Sequence, residues 1–187
     1  MNFVQPIRDP KVIKGIKEYL KARSLRNYLF FCMGIYSGLR VSDLLTLRVG
    51  MVKGTHVNII ESKTKKAKKF LIHPSIKEDL DYYIAGKDDD EYLFQSRQKK
   101  TKSKIKGQPI DRSTAYRMLK EAGEHFGLTE IGTHTMRKTY GYHLYMQNPS
   151  NLALLMKMFN HSNETITLMY IGVTQEMMDE QTKRLSF

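Results

Sequence analysis

Apolar residues recur along most of this chain at the three- and four-residue spacing of helices, and only one stretch changes to the pattern of strands. Val12, Ile13, Ile16 and Leu20 mark one face of a first helix, with Asp9 as its N-cap and Pro10 at its first position. A second helix is predicted from about Ser24 to Ser37. Its run Tyr28-Leu29-Phe30-Phe31-Cys32-Met33 is too apolar for a surface helix, so it reads as central and mostly buried, and Gly38 is placed to end it. Ser42 reads as the N-cap of a short helix through Leu47. Further helices are predicted from Ser75 to about Ala85, Asp111 to Phe126, Thr133 to Gln147, Ser150 to Phe159, Asn163 to Ile171 and Thr174 to about Arg184.

The exception lies between Val49 and Pro74. There Val57-Asn58-Ile59-Ile60 and Phe70-Leu71-Ile72 flank a lysine-rich turn, which predicts a small antiparallel sheet. Arg97 to Gly107 is almost entirely Lys, Arg, Ser, Thr and Gln without periodicity, and reads as a mobile basic loop. No internal repeat is evident. The pattern is that of one mainly helical α+β domain.

Composition narrows the partner. The 187 residues, 41% of them hydrophobic, can bury a core without staples and exclude a disordered chain. Lys and Arg number 31 against 19 Asp and Glu, a formal charge of +12, which is the footprint of a polyanion binder. Cys32 is the only cysteine, so no disulfide can form within the chain, and its apolar neighbours make it a small buried hydrophobe. No uninterrupted apolar run approaches a membrane span and no leader pattern opens the chain, so a cytoplasmic protein is expected.

The chemistry concentrates in His134-Thr-Met-Arg137, Phe159-Asn160-His161-Ser162-Asn163 and Tyr170. On a helix capped near Thr133, His134 and Arg137 share a face and can reach one anion. Upstream, Ser37-Gly38-Leu39-Arg40-Val41-Ser42-Asp43 places a guanidinium in a turn just before a helix start, where both suit phosphate oxygens. Each residue alone has an ordinary reading: Arg40 as a surface arginine, Tyr170 as a half-buried packing residue in an apolar helix. The ordered set is what carries weight.

That set resembles the catalytic domain of the tyrosine recombinase (phage integrase) family, from about Gly38 to Tyr170. The resemblance implies a mainly helical α+β fold with a small antiparallel three-stranded sheet, double-stranded DNA as partner, and strand cleavage and rejoining through a 3′-phosphotyrosine. It implies no cofactor and no metal, and the sequence offers no convincing carboxylate cluster for one. Arg40 and Arg137 would bind the non-bridging oxygens of the scissile phosphate, with His161 hydrogen-bonding to the same group and Asp43 holding the site in place. Lys63, with Lys65 as the fallback, would protonate the departing 5′ oxygen, His134 would serve in proton transfer, and Tyr170 would attack. Lys65, Lys66, Lys68 and Lys69 on the hairpin, and Arg97, Lys99, Lys100, Lys102, Lys104 and Lys106 in the basic loop, are expected to contact DNA backbone. Tyr140, Tyr142 and Tyr145 are expected to pack or touch DNA.

Family members usually carry a helical core-binding domain ahead of the catalytic one. The residues before Gly38 are too few for it, so residues 1–187 read as a single catalytic domain, either a fragment or a stand-alone form. The tail from residue 172 to 187 is expected to dock in cis or in trans through Met177, Met178, Leu185 and Phe187, and self-association on DNA, as a tetramer, follows from the resemblance. Two other readings stay open: a DNA-binding regulator that does not cut, and a type IB topoisomerase-like strand passer.

Overall fold

A computed structural model describes residues 4–96, 107–173 and 175–186. The basic-loop residues Arg97, Lys99, Lys100, Lys102, Lys104 and Lys106, the expected cap Thr174, and Phe187 of the tail lie outside the described residues.

The first helix, α1 (Pro10–Arg23), starts where expected because Asp9 accepts a hydrogen bond from the Lys11 amide at 2.7 Å. It packs against α2 (Leu25–Ser37), in which nine of thirteen residues are buried and which ends on Gly38 in the left-handed conformation, φ +62°. A side chain at Gly38 would also collide with the Tyr140 ring, its Cβ 2.6 Å from Cδ1. The short helix that follows, α3 (Val41–Leu44), starts two residues earlier than Ser42 predicts: the Asp43 and Leu44 amides both close onto the Arg40 carbonyl, so Arg40 occupies the cap position and Ser42 points outward.

Strands β1 (His56–Ile60) and β2 (Ala67–Leu71) form an antiparallel hairpin in the register Val57↔Phe70 and Ile59↔Lys68. Among the described residues this sheet has two strands rather than three, because the segment leading into β1, Val49–Val52, winds into a 3-10 turn. Helix α4 (Lys77–Ile84) follows another 3-10 turn, Pro74–Ile76, which His73 caps in place of the expected Ser75.

The second half is helical throughout: α5 (Arg112–His125), capped by Asp111, then α6 (Thr135–Gln147), α7 (Leu152–Phe159), α8 (Glu164–Ile171) and α9 (Gln175–Lys183). None of these helices is long and apolar enough to cross a membrane.

Two hydrophobic cores result. The larger surrounds α2 and gathers side chains from α1, the hairpin, α4 and α5, with Phe30, Phe31 and Phe94 at its centre. The smaller joins α6, α7 and α8 through Tyr142, Leu155, Phe159, Ile171 and Val173, and Met177 of α9 packs against it, whereas Met178 and Leu185 stay exposed. The functional residues lie along the seam between these cores.

Candidate active site

Arg137 comes first because it spans the seam. Its side chain is buried on α6, donating from Nη1 to the Gly38 carbonyl at 2.6 Å and from Nη2 to the Phe159 carbonyl at 3.4 Å, with the guanidinium 4.3 Å from the Phe159 ring centre. A permanent cation is thus fixed between the end of α2 and the end of α7. Gly38 makes this possible by turning its carbonyl toward α6 in a conformation that other residues adopt at a cost.

Two residues on, Arg40 points the second guanidinium into the same space. Its Nη1 lies 3.1 Å from Glu61 Oε1 and 3.9 Å from Asp43 Oδ2. Asp43 is buried and accepts the Ser62 amide at 2.9 Å, tying α3 to the start of the hairpin turn.

The hairpin rearranges the lysines. Lys63 is exposed in the turn, and among the described residues its ammonium enters no ion pair. Lys65, at φ +57°, and Lys69 are exposed as well, while Lys66 reaches across to the Asn160 side-chain carbonyl. Lys68 behaves differently: its side chain is only 13% exposed, and Nζ sits 4.0 Å from Glu61 Oε1. Strand alternation is the cause. Val57, Ile59 and Glu61 share the inward face of β1, and Lys68 and Phe70 share that of β2, so the fold carries Glu61 and Lys68 inside with the apolar residues. A solvated DNA-contacting role, expected for all four lysines, does not describe Lys68.

Burial first, then the neighbouring Arg137, pushes the Lys68 ammonium down to about 8, with Arg40 adding to the effect and Glu61 and Asp43 opposing it. Arg40 Nη1, Asp43 Oδ2, Glu61 Oε1 and Lys68 Nζ are all buried without a hydrogen bond of good geometry. These four atoms meet one another by charge rather than by directional bonds, while the other carboxylate oxygens accept hydrogen bonds, Asp43 Oδ1 from the Ser62 amide and Glu61 Oε2 from Thr64 Oγ1 at 2.7 Å. The sequence did not single out Glu61 and read Lys68 only as a DNA contact, because the second strand was expected to start at Phe70; extending its alternation back by two residues turns Lys68 inward.

On the other side of the seam, His134 takes the N-cap position of α6 and its Nδ1 lies 3.2 Å from the Tyr170 hydroxyl. His161 follows Asn160, whose left-handed backbone, φ +58°, caps α7. Its ring centre is 5.2 Å from that of Tyr170, and Nδ1 meets Thr167 Oγ1 at 3.1 Å. Tyr170 leans edge-on against Phe159, 5.5 Å between centres. Tyr140, by contrast, gives its hydroxyl to Met158 Sδ, and Tyr142 and Tyr145 belong to the smaller core.

Electrostatics divides these three. Burial, then Arg112 and Arg137, holds the His134 imidazolium below the ordinary histidine range, and burial followed by Arg137 and Arg40 does the same to His161. Burial raises the Tyr170 phenol, with Arg137 and Arg40 acting against it. A neutral imidazole beside a protonated phenol is the arrangement in which Nδ1 can accept the phenolic proton. Beside it, a 620 Å³ cleft lined by Glu61, Lys68 and His161 opens between the hairpin and α7. Among the described residues, no three His, Cys, Asp or Glu side chains converge as metal ligands would.

Comparison with known proteins agrees with this geometry. Residues 9–177 match the model of the phage integrase family. The chain is 43% identical over 188 residues to the probable integrase/recombinase YoeC of Bacillus subtilis, spanning all of this chain and 97% of that protein. It is 30% identical over 201 residues to a tyrosine recombinase of Pseudothermotoga lettingae, covering 98% of this chain and 66% of that one. Its fold superimposes on the crystal structure of XerA recombinase with a TM-score of 0.75 at 19% identity, over 98% of this chain and 67% of the other. With XerH site-specific recombinase bound to its palindromic difH substrate the TM-score is 0.68 at 15% identity, over 98% and 54%. These relatives favour recombination over the strand-passing and non-cutting readings, and the chain belongs to the phage integrase family of tyrosine recombinases, enzymes that cleave and rejoin DNA strands.

Proposed function

We propose that this protein recombines double-stranded DNA at defined sites, with Tyr170 as the attacking group, and the contact of its hydroxyl with His134 Nδ1 carries that reading. The scissile phosphate sits over Arg40 and Arg137, whose guanidinium forks bind its non-bridging oxygens and stabilise the extra charge of the pentavalent transition state. His161 donates to the same group. His134 takes the phenolic proton as Tyr170 forms the new P–O bond, and the 5′ oxygen leaves with a proton from a hairpin lysine. The resemblance suggests Lys63 for that donor, with Lys65 as the fallback, whereas Lys68 has the buried ammonium beside Arg40 and Glu61. The 3′-phosphotyrosine conserves the bond energy, so attack by a new 5′ hydroxyl reverses the step.

Residues 1–187 act in this reading as one catalytic domain, in the cytoplasm where chromosomal and phage DNA are found, and self-associate as a tetramer on DNA. The exposed Lys63, Lys65, Lys66 and Lys69 supply backbone contacts, making binding steeply salt-dependent. The test is a suicide substrate nicked beside the cleavage site. Wild-type protein should accumulate a covalent adduct and Tyr170→Phe none; equal yields would remove Tyr170 from the role.

A further inference from the structure

An extended segment, residues 5–8, crosses the back of the site and is bonded to three elements that bear catalytic groups. The Gln5 amide donates to the Glu130 carbonyl at 2.9 Å, in the loop that leads to His134. The buried Ile7 donates its amide to Thr139 Oγ1 at 2.9 Å and receives His143 Nε2 on its carbonyl at 2.9 Å, both partners lying on α6, the helix of Arg137. Arg8 then reaches the end of α8: Nη2 donates to the Gly172 carbonyl at 3.1 Å and to Gln5 Oε1 at 3.0 Å, with the guanidinium 5.6 Å from the Tyr142 ring centre.

The crossing is close. Gly172, the left-handed cap of α8 at φ +77°, lies tightly under the segment: a Cβ there would come 3.0 Å from Pro6 Cδ, 3.1 Å from Arg8 Nη2 and 3.2 Å from Gln5 Oε1, so its neighbours would have to give way. Tyr170 is two residues away. An eight-residue helix has little stability of its own in water, so the pose of α8 depends on what holds its ends. One end is held by Asn163, whose side chain caps the helix, and by Thr167 against His161. The other is held by the cation of Arg8 on the carbonyl that closes the helix, which is also where a positive charge is favoured by the helix dipole.

We propose that residues 5–8 are a positioning strap for the nucleophile, in which Arg8, acting through Gly172, holds the Tyr170 end of α8 at the place from which it reaches both His134 and the arginine pair. Arg8 touches no reacting atom. It is a positioning residue, and the proposal rests on Tyr170 being the nucleophile. Four hydrogen bonds from one short segment, one to the loop before His134, two to α6 and one to the α8 cap, make the strap a brace between the base and the attacking group. Without it the hydroxyl stays near the phosphate but loses a fixed line of attack, which lowers the rate without weakening DNA binding.

The experiment compares wild type, Arg8→Ala, Arg8→Lys and, as a charge control on exposed α1, Lys14→Ala in single-turnover adduct formation on the nicked substrate, alongside amide hydrogen exchange. For Arg8→Ala the rate at saturating protein should fall about ten- to a hundredfold while the half-saturating concentration stays within about twofold, since small misplacements of a reacting group cost that much. Arg8→Lys, which can still donate to the carbonyl, should recover most of the rate, and Lys14→Ala should match wild type. Amides from 168 to 173 should exchange faster in Arg8→Ala while those of α2 do not change. Should Arg8→Ala melt below the assay temperature, Arg8→Gln takes its place with the same expected split. The strap is overturned by an unchanged saturating rate, by a loss that appears only in half-saturation, which makes Arg8 a DNA contact, or by unchanged exchange at 168–173. An adduct formed equally by Tyr170→Phe refutes the nucleophile assignment instead, and the exchange result still decides whether the strap holds α8.

Discussion

The two halves of the site are built differently. Arg40, Asp43, Glu61, Lys68 and Arg137 are buried or nearly so, seated on the larger core and locked to one another or to backbone carbonyls. Tyr170 stands on α8 and His161 in the turn between α7 and α8, two eight-residue helices held by a core of five buried side chains that includes Phe159. The difference matches the work each half does. Stabilising charge on a phosphate needs preorganised groups that do not relax, whereas a tyrosine that becomes covalently bonded to DNA must move with the phosphate it attacks. Small, lightly packed units open more readily than large cores, so in the proposed reaction Tyr170 would be carried on the half that opens more easily.

Breaking the rigid half should produce the largest loss. Arg137→Ala removes one charge-stabilising donor, which costs roughly a hundred- to a thousandfold in adduct formation, and it strands the Gly38 and Phe159 carbonyls, at about 1–3 kcal/mol for each acceptor left buried. Arg137→Lys keeps the charge but not the fork, so it should regain stability before activity. An Arg137→Ala protein that forms adduct at the wild-type rate would mean that the buried clamp is architecture only.

Next comes the proton for the leaving oxygen, which separates two lysines of the same hairpin. Loss of a general acid typically costs about a hundredfold or more, and a 5′-bridging phosphorothiolate, whose sulfur leaves without protonation, should restore the rate only in the variant that lacks the true donor. The variants to compare are Lys63→Met and Lys68→Met. Because Lys68 is held near 8, donation by it also predicts a rate that declines as pH rises through about that value. At the acid end the sign is opposite: His134 accepts a proton only when neutral, and its lowered pKa keeps it neutral below the ordinary histidine range. The rate should therefore hold as pH falls past about 6.5 and drop only below that, and an acid limb centred above 6.5 would exclude His134 as the base.

The half with the smaller core is broken at Phe159. Phe159→Ala should cost about 3–5 kcal/mol, read as faster amide exchange confined to α7 and α8, while Phe30→Ala in the larger core should lower protection throughout. Equal spreading from both sites would mean that the two cores unfold as one unit and that the contrast drawn between them is wrong.

How the sequence reads follows the same division. The helices of the larger core were legible because their caps and periodicity agree: Asp9-Pro10, Ser24, Gly38 and Asp111 all do in the structure what their side chains favour. The ordered set Arg40, Arg137, His161, Tyr170 stood out through its resemblance to the family's pattern, and the fold brings these side chains to one seam. What the pattern hid was contact across the chain. Glu61 and Lys68 look like members of a solvated charge run until strand register turns them inward. Arg8 looks like an ordinary basic residue near a helix start, and only the fold brings it to Gly172. The expected caps Ser42 and Ser75 failed for a local reason: a carbonyl at Arg40 and the His73 imidazole reach the free amides first.

The smallest expected effect tests the joint between the halves. Lys66, on the hairpin turn, reaches the Asn160 side chain at the end of α7, and Asn160 holds a left-handed backbone that costs an L residue roughly 1–2 kcal/mol and glycine almost nothing. Asn160→Gly therefore relieves backbone strain while removing the contact, and should change stability by less than about 1 kcal/mol; Asn160→Ala keeps the strain, loses the contact and should be the less stable of the two. Lys66→Ala alone should cost only tenths of a kcal/mol, as exposed polar pairs do. The informative quantity is the coupling in a double-mutant cycle of Lys66→Ala with Asn160→Gly, measured both on stability and on adduct rate. If the hairpin and the nucleophile helices are independent bodies in the free protein, both couplings vanish; if the contact sets where His161 and α8 stand relative to Arg40, the coupling is larger in the rate than in the stability, because geometry at the phosphate responds to displacements that barely register in folding.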